Sequence, residues 1–274
     1  MGVVAASLRL APAALAAAAL LYAALLLLAW WGQERLLFQP VRLAADHDFA
    51  LPADVHETWV DVPGARLHAL HLRLPHPEGI VFYLHGNAGN LEGWFAGADF
   101  FRRANFDLYM IDYRGYGKSS GRIESQAQLD ADVRAAWDAV APQYPRETGL
   151  RRVVFGRSLG TALAARLAAA VAPDLTVLVS PYTSMAEMQR LHYPWIPAAL
   201  LRYPLRTDAA ITGVRGPLLL LHGERDELIP AAQAERLHAL APRSELVLVP
   251  GAGHNDIQAF PAYLEALGAA LARR

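Results

Sequence analysis

The chain opens with an unbroken apolar stretch. From Leu10 to Gln33 no residue carries a charge; Arg9 and Glu34 bracket a run of mostly Ala and Leu that ends in Trp30 and Trp31. A helix rising ~1.5 Å per residue crosses a hydrocarbon core of ~30 Å over such a length. Paired Trp at one boundary suits a membrane interface. A secretory signal normally has a shorter apolar core of ~7–15 residues followed by small residues at a cleavage site, and Ala-Trp-Trp-Gly is a poor one. A buried core helix is the other alternative, but Ala and Leu on every face leave no polar side for solvent. The pattern therefore predicts an uncleaved anchor over residues 1–33, in a single pass. Arg9 and the amino terminus lie on one side, Arg35 and Arg42 on the other, a weak asymmetry; the expectation is that the remainder of the chain lies outside the cytoplasm.

Beyond the anchor the period changes. Residues 34–57 read as a linker, and a first strand is expected over 58–62. The alternation at 66–74, with Leu67, Ala69, Leu70, Leu72 and Leu74, suggests a second strand pairing with it. Short apolar runs at 80–84, 108–111, 153–155, 176–179, 218–221 and 246–249 look like strands buried on both faces. Between them a helical period appears at 126–140, where Leu129, Val133, Ala136, Trp137 and Val140 share one face, and again after 155, at 231–240 and at 260–271. Strands alternating with helices mean a mostly parallel sheet covered on both faces, an α/β domain over 58–274. Residues 181–216, between the sixth and seventh strands, break the pattern. They are rich in aromatics and Met and carry Pro194, Pro197 and Pro204, so helices there must be short. A long irregular stretch commonly covers a site, and a small cap with an apolar groove is expected; packing on the sheet edge or on the membrane is the alternative.

Composition narrows the chemistry. The 274 residues are 54% hydrophobic with a net charge of −1, and the mean hydropathy is +0.18. No basic field is available to hold nucleic acid. With no cysteine, disulfides, thiol catalysis and cysteine-ligated metals are excluded. Lys118 is the only lysine among 25 basic residues, a bias that suggests a GC-rich, bacterial genome. His68 and His71 fall on opposite faces of a strand and make a poor metal pair. No cofactor or metal is expected.

One motif carries the chemistry. Gly156-Arg157-Ser158-Leu159-Gly160 matches G-x-S-x-G between an apolar strand and an Ala/Leu-rich helix. There a serine sits on a sharp strand-to-helix turn that lifts its hydroxyl above the sheet, while glycines on either side let helix and strand approach. A free hydroxyl is a poor nucleophile and needs an imidazole to take its proton and a carboxylate to orient that imidazole. The chain order in such sites is Ser, then Asp or Glu, then His. Among His192, His222, His238 and His254, only His254 stands in a glycine-rich loop just past a late strand; His222 precedes the best acid and reads as structural. Gly223-Glu224-Arg225-Asp226-Glu227 supplies the acid, with Asp226 favoured and Glu224 and Glu227 as alternatives. The backbone N–H of Leu159, and that of Asn87 in His85-Gly-Asn-Ala-Gly-Asn90 after the third strand, are the expected oxyanion donors. Asp112-Tyr-Arg-Gly-Tyr-Gly-Lys-Ser119 contains Gly-Lys-Ser but has Asp112 where a phosphate-binding loop needs glycine. A nucleotide is not implied.

Taken together, His85–Asn90, Asp112–Ser119, Gly156–Gly160 and Gly251-Ala-Gly-His-Asn255 resemble a family of α/β-hydrolases. It includes the fungal bud-emergence-type hydrolases, mammalian α/β-hydrolase-domain proteins, some of them protein depalmitoylases, and bacterial relatives. The resemblance runs from Arg35 to the C-terminus and implies an α/β-hydrolase fold with a serine hydrolase acting on ester or thioester bonds, its triad Ser158, Asp226 and His254. Several members carry a single N-terminal membrane segment. The depalmitoylases reach membranes through a cysteine-rich, palmitoylated N-terminus, which a cysteine-free chain lacks. The expected partners are a membrane and a small-molecule or lipid-like acyl substrate. A prolyl-oligopeptidase-type peptidase and a catalytically silent membrane scaffold are the rival readings.

Overall fold

The computed structural model describes residues 2–273. Eight strands form one sheet: β1 (Val55–Val62), β2 (Ala65–Leu72), β3 (Gly79–Leu84), β4 (Asp107–Ile111), β5 (Arg151–Arg157), β6 (Leu175–Val179), β7 (Leu218–Gly223) and β8 (Glu245–Val249). Across the sheet they run in the order β8-β7-β6-β5-β3-β4-β2-β1. Only β2 runs against its neighbours; the other pairs are parallel. β1 begins at Val55, three residues before the expected start, because Val55 pairs with Leu72 at the end of β2 and is itself buried.

Every residue of β3, β4, β6 and β7 is buried, as the unbroken apolar runs require when helices cover both faces. Successive side chains alternate between two cores. Phe82 lies on one face with Tyr109 and Trp137; Val81 and Tyr83 lie on the other, where Tyr83 stacks on Phe155 with centroids 4.4 Å apart. The helix Gln126–Val140 begins at Ser125, whose side chain accepts from Gln128 N–H, and it buries the five apolar residues that share its face. The 181–216 stretch folds into three short helical pieces, Met185–His192, Ala198–Leu200 and Thr207–Ile211, with Pro194, Pro197 and Pro204 in the breaks between them.

The N-terminal helix α1 (Gly2–Trp31) is followed after Gly32 by a single short turn, α2 (Gln33–Leu37). Residues Pro12–Trp31 are apolar, unburied and long enough to cross a membrane. The segment after it departs from a slack linker. Gln39 and Pro40 pair in parallel with Ala88 and Gly89, and Arg42 bridges to Gly117. The chain leaving α2 thus threads between two of the loops at the C-terminal edge of the sheet. Ligands bind at that edge in parallel α/β sheets.

Candidate active site

Seven of the eight strands, all but β2, end at one edge, and the loops that carry the site converge there. At the end of β5 the chain turns through Ser158 into the helix Gly160–Val171. Ser158 has φ +50°, a left-handed conformation that costs a non-glycine residue and survives where the surroundings over-determine it. Here Ser158 N–H donates to the Val179 carbonyl at 2.9 Å, and Thr161 returns two hydrogen bonds to the Ser158 carbonyl. The flanking glycines are steric requirements. A Cβ at Gly160 would stand 2.1 Å from the Leu84 carbonyl oxygen, and one at Gly156 would stand 2.6 Å from Cβ of Ala164.

His254 Nε2 lies 3.1 Å from Ser158 Oγ, and its Nδ1 lies 2.7 Å from Asp226 Oδ2. The three side chains nominated from the sequence are brought into one line. The other Asp226 oxygen accepts from the backbone N–H groups of Leu228 and Ile229 at 3.0 and 2.8 Å. Burial alone would raise this carboxyl. Hydrogen bonds from His222, His254 and Ile229 N–H outweigh it and hold the group well below the usual carboxylate range. Asp226 is buried, whereas Glu224 and Glu227 are exposed on the same loop. His222, read as structural, packs beneath the acid: its Nε2 donates to the Ile229 carbonyl at 2.7 Å and sits 3.4 Å from Asp226 Oδ2. His192 lines the cavity into which Ser158 opens but spends its Nε2 on the Leu228 carbonyl, and His238 pairs with Ser244; neither hydrogen-bonds Ser158.

The backbone N–H groups of Asn87 and Leu159 have no protein acceptor among the described residues, and both residues line the cavity into which Ser158 opens. Leu159 stands at the N-terminus of its helix, where the dipole favours negative charge. The Asn87 peptide is held from behind: its carbonyl accepts from Gln39 N–H at 2.9 Å and from the Tyr116 hydroxyl at 2.7 Å. Asn90 braces the same loop, capping Glu92 N–H and donating to the Val41 carbonyl. The Gly-Lys-Ser stretch serves as packing. Gly117 lies so close to Asp112 that a Cβ would fall 2.0 Å from its Oδ2, and Ser119 Oγ closes the loop onto the Asp112 carbonyl.

One contributor escaped the sequence reading. Arg157, the variable position of the elbow, is buried; it donates to the His254 carbonyl at 2.7 Å and to Gln258 Oε1 at 2.6 Å, tying the histidine loop to the strand that carries the serine. Its burial is not written in the sequence; the chain shows only a charged side chain closing an apolar strand. Beyond Ser158 the cavity, about 450 Å³, is walled by Tyr182, Met185, Met188 and Ile196 of the cap region and by residues of α1 and α2. That volume lies within the ~300–1,000 Å³ range of small-molecule sites.

A serine on a strained strand-to-helix turn, with a later histidine and a carboxylate between them in the chain, on this sheet order, defines an α/β-hydrolase. Residues 75–210 match the family described as serine aminopeptidase, S33. An uncharacterized protein of Mycobacterium tuberculosis (strain ATCC 25618 / H37Rv) is 36% identical over 83% of this chain and 82% of its own length. The alpha/beta hydrolase domain-containing protein 17B of Xenopus tropicalis is 32% identical, covering 74% of this chain and 70% of that one. An esterase from Pyrococcus furiosus superposes with a TM-score of 0.69 at 19% identity, over 86% of this chain and 97% of that one. The chain belongs to this serine-hydrolase family of the α/β-hydrolase superfamily.

Proposed function

We propose that this chain is a membrane-anchored serine hydrolase cleaving carboxylic ester or thioester bonds through an acyl-enzyme at Ser158. The observation that carries it is the unbroken hydrogen-bonded line from Asp226 through His254 to a serine held at positive φ. Ser158 Oγ attacks the acyl carbonyl as His254 Nε2 takes its proton; Asp226 keeps the imidazole in the Nδ1–H tautomer and stabilises the cation that forms. The Leu159 and Asn87 N–H groups receive the oxyanion. His254 then returns the proton to the departing alkoxide or thiolate, and a water molecule repeats the sequence to free the acid and restore the serine hydroxyl. The apolar helix, with Trp30 and Trp31 at its end, supplies the anchor, and the catalytic domain lies on the extracytoplasmic side.

A fluorophosphonate is expected to label the full chain and to leave Ser158→Ala unlabelled. Equal labelling of both, or of neither, overturns the reading. The family's description as serine aminopeptidase favours a second reading, amide cleavage by the same acyl-enzyme. Turnover of an aminoacyl p-nitroanilide faster than that of the matching ester would select it.

A further inference from the structure

We infer that the N-terminal helix is a wall of the acyl pocket and not only a tether. On this reading the pocket opens sideways into the bilayer, and its substrate is a membrane-resident lipid carrying the ester or thioester. The inference rests on the hydrolase reading above and names the substrate class for that site.

Three sets of contacts lead to it. The first is the cavity itself. Ala29 and Trp30 of α1, with Gln33, Leu36 and Leu37 of α2, line the same space as Ser158 and Leu159. Apart from the serine and its neighbouring amides, most of that lining is apolar, so an acyl chain attached at Ser158 has its apolar course between the cap and the end of α1.

The second is a clamp that holds helix and cap in register. Gln33 is buried; its Nε2 donates to the Leu200 carbonyl at 2.7 Å, and its Oε1 accepts from Arg202 N–H at 2.9 Å. One carboxamide therefore completes the cap backbone in both senses, as a neighbouring strand would. Glu34 accepts from Arg202 at 2.6 Å and from the Tyr203 hydroxyl at 2.9 Å, while the Arg202 guanidinium lies 5.4 Å from the centre of the Trp30 ring. Buried polar groups satisfied at both ends specify one arrangement, because any displacement leaves them unpaired in an apolar setting.

The third set places the cap along the length of α1. The Tyr22 hydroxyl donates to the Trp195 carbonyl at 2.8 Å. Tyr22 precedes Trp31 by nine residues, about 13 Å along a helix rising ~1.5 Å per residue. If Trp30 and Trp31 mark the interface, the cap descends beside the helix to the depth of the hydrocarbon. Large apolar side chains are displayed there, Leu191, Tyr193 and Trp195 being 48%, 45% and 48% exposed, while the neighbouring exposed Arg190 is paired with Glu187. Gln189 donates to the carbonyls of Tyr193 and Ile196 and so satisfies the backbone of this turn from within, as a segment at membrane depth requires. The patch meets the apolar helix α1 at the Tyr22–Trp195 contact, and lipid is the occupant assigned to it.

The test uses the full chain in phosphatidylcholine vesicles. A fluorophosphonate bearing a diazirine at the end of a long alkyl chain is captured by Ser158 and then irradiated. Crosslinks to residues 29–37 as well as to the cap are expected; crosslinks confined to the cap and the sheet domain overturn the inference. Failure of the probe to be captured at Ser158 removes the hydrolase reading instead. Since the chain has no cysteine, Trp195→Cys can carry a single environment-sensitive fluorophore. Quenching by doxyl groups on the lipid chains is expected. Quenching only by aqueous iodide, or burial against a second copy of the chain, overturns lateral access. Ala29→Trp, which fills the helix side of the pocket, is expected to lower the ratio of kcat/KM for p-nitrophenyl palmitate to that for p-nitrophenyl acetate by about tenfold or more. An unchanged ratio counts against the wall.

Discussion

Asp226 illustrates how single residues are set by their surroundings. Two backbone N–H groups saturate one of its oxygens and two imidazoles surround the other, so the carboxylate stays charged although buried. Asp226→Asn keeps the shape but places an amide N–H₂ against His254 Nδ1, driving the imidazole into the tautomer that cannot accept from Ser158. We expect kcat to fall by about 10³–10⁴ in a protein that still folds, by circular dichroism. Glu224→Ala and Glu227→Ala are expected to stay within about twofold of wild type; loss of ester hydrolysis in either, with Asp226→Asn active, would reassign the acid. His71 provides a prediction about stability. Burial, with Arg73 and His56 nearby, depresses its pKa from 6.5 to about 4, while its Nε2 pairs with the Tyr144 hydroxyl at 2.9 Å. Between those values the unfolded chain binds a proton that the folded protein refuses, so stability falls as pH drops from 6.5 to 4. The loss amounts to about 3 kcal/mol. Denaturant titrations across that window should show a shallower decline for His71→Gln; an identical slope would place the charge elsewhere.

At the level of elements, the close approach of the helix Gly160–Val171 to β3 positions the nucleophile. Gly160→Ala drives a methyl group into the backbone of Leu84 and has no flexible side chain to displace. A destabilisation of about 3 kcal/mol or more is expected, with loss of serine labelling. Gly268 offers the contrast. It lies inside the helix Pro261–Ala272, and a Cβ there would meet nothing within 4 Å, so Gly268→Ala should stabilise by ~0.5–1 kcal/mol through helix propensity and chain entropy. Paired melting curves of the two variants test this, and a stable Gly160→Ala protein would show that helix and strand can separate. The loops at the sheet edge behave as one unit for the same reason. Tyr116 and Gln39 donate to the Asn87 carbonyl, and Asn90 ties the same loop to the Val41 carbonyl, so the free Asn87 N–H is aimed before any substrate arrives.

For the molecule as a whole, the stretch from α1 to Leu43 joins the apolar helix to the site without slack. It forms part of the cavity wall, clamps the cap through Gln33 and Glu34, and pairs with the loops carrying Asn87 and Gly117. Helix, cap and oxyanion loop are mechanically coupled as a result. The proposed sidedness predicts that a C-terminal alkaline phosphatase fusion is active in a bacterial host and that a C-terminal green fluorescent protein fusion is dark; the reverse pattern places the domain in the cytoplasm.

Much of this was readable along the chain, and the division has a physical cause. The apolar helix, the succession of strands and helices and the G-x-S-x-G turn are set by residues a few positions apart, where period and sterics act locally; the sequence alone determines them. It also nominates Ser158 and His254, because each sits in a glycine-rich turn at the end of an apolar run. Choosing among Glu224, Asp226 and Glu227 was another matter: all three share one loop, and only the packed fold buries one carboxylate against two imidazoles while exposing the others. Arg157 reaching His254, Gln33 reaching Leu200 and Tyr22 reaching Trp195 span roughly 100–170 positions of chain. Such contacts leave no period and no spacing to detect. They arise when distant segments are desolvated together and their polar groups must find partners, which the tertiary structure alone decides.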